Sequence, residues 1–140
     1  MIYVDGPISA LTIDVAGEVL TEDRAGIVQG GAEPLPAAVF LRDTALTRAD
    51  AAIVALADEA CAAEDKTLAR LHALNRLLAE RMRFDTGGMD VALAAADALG
   101  RGHGVCQDFA HVFSAAARSM GVPARYVSGH LFRRDGETDQ

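Results

Sequence analysis

At 140 residues the chain has about one domain's worth of length, enough for a core that needs no disulfide staples. Half of it is apolar and a quarter charged, as in ordinary soluble proteins, and its net charge of −7 excludes the positive potential on which a general nucleic-acid binder depends. The charge is uneven: residues 1–65 hold 12 acids and 3 bases, residues 66–140 hold 8 and 10, a division that solvated surfaces account for.

Residues 2–28 read as β structure. Ile2-Tyr3-Val4 is a short apolar run closed by the turn signal Asp5-Gly6-Pro7. In Ala10–Val15, Leu11, Ile13 and Val15 alternate with Thr12 and Asp14, the period of a half-buried strand. Residues 31–39 read as a linker, with Gly31, Pro34 and Pro36 resisting both helix and sheet. From Thr47 the pattern turns helical. Thr47-Arg-Ala-Asp50 fits a loose capping box ahead of Ala49, Ile53, Leu56 and Ala60 at helical spacing. Asp65 or Thr67 is placed to cap a second helix, whose Leu71, Leu74 and Leu78, with Leu68 and Leu77 beside them, form a stripe ending near Met82. Phe84–Gly88 breaks the pattern. A short helix is expected over residues 91–99, with Leu93, Ala96 and Leu99 on one face and Gly100 as its stop. The next helix starts around Cys106 and carries Phe109, Val112, Phe113, Ala116 and Met120 at the spacing of a buried face. Gly121 and Pro123 end it, residues 124–132 read as a strand, and Arg133–Glu137 as the loop after it.

Cys106 is the residue with chemistry to offer. It stands where the glycine-rich stretch Arg101-Gly-His-Gly-Val105 gives way to the helix. N–H groups at a helix start are unpaired and partly positive, so they stabilise a thiolate and can face the oxyanion of a tetrahedral intermediate. Gly102 and Gly104 keep the approach clear of side chains, and the apolar turn that follows anchors the helix. The other cysteine, Cys61, sits inside the Ala-rich first helix and reads as core packing. Two cysteines make no disulfide framework, and no zinc-type Cys/His spacing occurs, so no cofactor or metal is expected. Of the histidines, His111 lies five residues beyond Cys106, about 500° around the helix, and points away from it. His103 reads as part of the glycine turn, His72 as a surface or packing residue, and His130 as a strand residue. No apolar run approaches the roughly 18 residues of a membrane span. The N-terminus lacks the charged-then-apolar order of a signal peptide, and the stretch reads as soluble, with the cytoplasm favoured.

Gly104-Val-Cys-Gln-Asp-Phe-Ala110, an apolar helix, and then Met120-Gly-Val-Pro-Ala-Arg-Tyr-Val-Ser-Gly129 together resemble the bacterial branch of the transglutaminase-like superfamily. The likeness extends back through Leu71-His-Ala-Leu-Asn75 to Phe40-Leu-Arg42. The resemblance implies an α+β fold, the helical part of a papain-like core with a few strands, over residues 40–140, with residues 1–30 the end of a small N-terminal β domain. It implies a Cys-His-Asp triad in which Cys106 is the nucleophile. The family's His-Ala-Trp and Asp motifs do not occur among the 140 residues, and His130 does not match the first of them. The chain therefore reads as a fragment that lacks its His and Asp strands and is inactive by itself. The implied activity of the whole is cysteine-dependent acyl transfer on peptide or glutamine-type amides, with hydrolysis favoured and a peptide or protein as substrate. The competing expectation is a non-catalytic binding or assembly module on the same scaffold.

Overall fold

The computed structural model describes residues 6–27, 33–85 and 93–129. They fall into two compact units, one of Met1–Gly30 with Gly129–Gln140, the other of Gly31–Ser128. In the first unit, residues 10–23 form no hydrogen-bonded strand, and Leu11, Ile13 and Val15 are exposed. The alternation of Ala10–Val15 thus supplied the period of a strand but no partner to complete a ladder. The chain reverses at Arg24–Ile27, where the Ile27 N–H donates to Arg24 O at 2.9 Å across Ala25 and Gly26, both at positive φ. Ile2–Val4 lies outside the described residues.

The second unit is mostly helical. A 3-10 turn at Ala37–Leu41 leads to α1 (Ala51–Ala63), α2 (Thr67–Arg81), β1 (Arg83–Phe84), α3 (Ala95–Arg101), β2 (His103–Gly104) and α4 (Cys106–Ser119). Its core is built from Ile53, Leu56 and Ala60 of α1, Leu74 and Leu78 of α2, Ala95 and Ala98 of α3, and Val112 and Ala116 of α4. Alanine fills much of this interior and lets the helices approach closely. Leu77 packs against the core beside the α2 stripe as expected, and Leu71, expected within the stripe, is only partly buried, whereas Leu68 is 67% exposed, one turn too early to reach the core.

The helix ends correct three expectations. Asp50, and not Thr47, caps α1: its Oδ1 accepts the Ile53 N–H at 2.9 Å. Thr47 is buried instead, with its hydroxyl against Thr44 and Arg118. Neither Asp65 nor Thr67 caps α2; Thr67 is its first residue, after Lys66. Helix α3 runs through Gly100 and stops at Gly102, which adopts the left-handed conformation at φ 67°. The end of α4 is as read from the sequence. Gly121 turns left-handed at φ 76°, the Val122 N–H reaches Ala117 O and the Gly121 N–H reaches Arg118 O, a Schellman motif.

The described sheet is β1 beside β2, parallel, with Arg83 opposite His103 and Phe84 opposite Gly104. The expected strand at 124–132 does not form over 124–129, and the remainder lies outside the described residues. In its place residues 124–128 run as an irregular segment tied to the rest of the unit. The Ala124 N–H donates to Phe40 O at 3.1 Å, and the Arg118 guanidinium bonds Phe40 O, Ala124 O and Thr47 Oγ1.

Candidate active site

Cys106 is the first residue of α4, exposed and unbridged. Three contacts hold the turn in front of it. The Arg83 N–H donates to Gly102 O at 2.9 Å and the Asp85 N–H to Gly104 O at 3.0 Å, so the β1–β2 ladder pins the glycine turn to the end of α2. The third comes from Asp108, whose Oδ2 accepts the Val105 N–H at 2.9 Å. Valine has no side-chain acceptor, so this is the reach-back half of a capping box and stands alone. The Asp108 N–H is in turn taken by Val105 O at 3.0 Å. The N–H groups of Cys106 and Gln107 are left without a partner among the described residues. A thiol and two free donors thus share the start of one helix, the arrangement in which a cysteine nucleophile and an oxyanion site can coincide.

The histidines are dispersed. His103, half-exposed, places Nδ1 3.8 Å from Asp85 Oδ2, beyond hydrogen-bond length but within ion-pair range when protonated. His72 is exposed on α2. His111 is buried and meets the Tyr126 ring edge-on, with centroids 5.6 Å apart; its Nδ1 has no hydrogen-bond partner. His130 lies outside the described residues. Cys61 is partly buried in α1 and unbridged. No metal-binding group of three or more His, Cys, Asp or Glu occurs among the described residues. No described helix is long and apolar enough to cross a membrane.

An open cleft of about 450 Å³ lies along α4, between Asn75 and Leu78 of α2 and the segment Arg125–Val127. Its α4 residues, Phe109, Ala110, Phe113 and Ser114, are three, four, seven and eight positions beyond Cys106 and so share its helix face. Arg125 at its rim is ion-paired with Glu33 and lies over the Phe40 ring at 5.1 Å.

Sequence reading located the cysteine but passed over two residues that shape its surroundings. Asp108 carried a readable signal, an acid three positions after a helix start. Arg118 carried none, because its partners are backbone carbonyls and a threonine distant in sequence.

The transglutaminase-like superfamily model matches residues 54–139, more than half of the chain, and the chain belongs to that superfamily. An uncharacterized protein of Mycobacterium leprae (strain TN) is 40% identical over 77 residues, which cover 50% of this chain and 28% of that protein. The chain thus corresponds to less than a third of the length of that relative. No solved structure matches.

Proposed function

We propose that Cys106 is the nucleophile of a cysteine-dependent acyl transfer on peptide or glutamine-type amide bonds, with hydrolysis as its usual outcome. The observation that carries this reading is the exposed thiol at the first position of α4 beside two N–H groups that have no partner among the described residues, inside the motif by which the chain resembles its superfamily. The Sγ thiolate attacks the carbonyl carbon, and the oxyanion that forms faces the Cys106 and Gln107 N–H groups. The C–N bond then breaks, and the amine departs with the proton that a histidine took from the thiol. Water, deprotonated by the same histidine, attacks the thioester and returns the thiol and a carboxylic acid. An amine in place of water would give a new amide instead. The resemblance assigns the histidine and its orienting aspartate to later strands of the catalytic domain.

The test is to treat the full-length protein with a thiol-directed electrophile and with glutamine-containing peptides, beside Cys106→Ala. The wild type is expected to be alkylated at Cys106, to release ammonia or amine, and to yield a thioester on acid quenching. Cys106→Ala is expected to lose turnover by at least about a thousandfold. Equal turnover in the two proteins would refute the assignment.

A further inference from the structure

In the stretch Gly104-Val105-Cys106-Gln107-Asp108, the first and last residues fit one another. Asp108 is 7% exposed, and its carboxylate folds back over the turn to the Val105 N–H. A Cβ built on Gly104 would stand 2.5 Å from Asp108 Oδ2 and 2.8 Å from Asp108 Cβ, closer than non-bonded atoms approach. Residue 104 does not need glycine for an unusual backbone angle, since its φ is not among the positive ones. It needs glycine because the Asp108 carboxylate occupies the side-chain position. That carboxylate also determines which donors remain free at the helix start: it takes the Val105 N–H and leaves those of Cys106 and Gln107. A negative group in the first turn is, besides, well placed on the helix dipole.

We propose that Asp108 is the positioning residue of the Cys106 thiol, and that Gly104 is present to admit its carboxylate. The proposal rests on the reading of Cys106 as the reacting group. Asp108 touches neither substrate nor sulfur in this role. It ties the turn to α4, so that the helix begins at Cys106 and the thiol keeps its place beside the free N–H groups.

The test is peptide-resolved alkylation of the full-length protein with iodoacetamide at neutral pH, with Cys61 as the internal reference on α1. Asp108→Ala is expected to slow Cys106 about fivefold or more, the effect of losing a helix cap, and to leave Cys61 within about twofold. Asparagine keeps an acceptor oxygen and removes a like charge near the thiolate, so Asp108→Asn is expected to label at or above the wild-type rate. Gly104→Ala displaces the carboxylate and is expected to reproduce Asp108→Ala. A wild-type rate at Cys106 in Asp108→Ala would overturn the proposal. So would a parallel rise at Cys61, because that reports general loosening. If wild-type Cys106 reacts no faster than free cysteine, the nucleophile reading fails, while the ratio of wild type to Asp108→Ala still decides the role of Asp108.

Discussion

Arg118 shows what a single side chain can hold together. Its Nε donates to Phe40 O at 3.0 Å, its Nη2 to Ala124 O at 2.7 Å and its Nη1 to Thr47 Oγ1, so one guanidinium joins the 3-10 turn, the loop before α1 and the segment after α4 to the cysteine helix. These acceptors are neutral and part-buried, so losing their donor leaves oxygens that water reaches poorly. Arg118→Ala is expected to destabilise the protein by about 2–3 kcal/mol. Arg118→Lys should recover less than half of that, because an ammonium on a flexible stem cannot match three acceptors spread around a planar fork. Urea unfolding midpoints for the two variants check both values. This residue also marks a limit of sequence reading. A cysteine before an apolar helix is legible because thiol chemistry narrows its uses. An arginine near a helix end is compatible with the helix dipole, a surface ion pair or solvent, and nothing local indicates that its partner at Phe40 lies 78 positions away.

The elements were legible in type more than in extent. Helical periodicity located α1, α2 and α4 because apolar spacing is set by burial, whereas their starts depend on which of several polar residues wins the cap. Thr47 and Asp50 are both competent caps; Asp50 prevails because the Thr47 hydroxyl is engaged by Thr44 and Arg118. The pair β1–β2, two residues each, is too short for any period to register. Gly102, and not the Gly100 expected from the sequence, stops α3, and the two glycines should therefore respond oppositely to the same change. Gly102 has φ 67°, and a Cβ there would meet Arg81 O at 3.5 Å, an ordinary contact, so the cost of Gly102→Ala is conformational, about 1–2 kcal/mol. Gly100 lies within the helix with open space around its would-be Cβ. Gly100→Ala is expected to stabilise by up to about 1 kcal/mol. Thermal or urea denaturation of the two single variants checks the opposite signs. A loss in Gly100→Ala equal to that in Gly102→Ala would mean that α3 ends earlier than described.

At the scale of the molecule, the position of the candidate site follows from how the helical unit is filled. The fully buried large side chains are Ile53, Leu74, Leu78 and Val112, and alanines occupy most of the remaining interior. The helical half of the family expectation was readable because it rests on a repeating apolar pattern. The strands expected at 10–15 and 124–132 were not secure, because alternation specifies two faces and leaves the hydrogen-bonding partner unspecified. With so few bulky residues, each one carries a large share of the packing that holds α4, and hence Cys106, against α1 and α2. Leu74 and Leu68 test this on a single helix. Leu74 is fully buried, while Leu68, six residues earlier on α2, is 67% exposed. Leu74→Ala removes a fully buried side chain from the core cluster and leaves a cavity there, so the cost is expected at about 3–5 kcal/mol. Leu68→Ala is expected to change stability by less than about 0.5 kcal/mol. The measurement is urea unfolding followed by circular dichroism, with alkylation of Cys106 and Cys61 in parallel. Near its midpoint Leu74→Ala should expose Cys61 to the reagent, and a comparable effect from Leu68→Ala would place the α2 stripe on the wrong face.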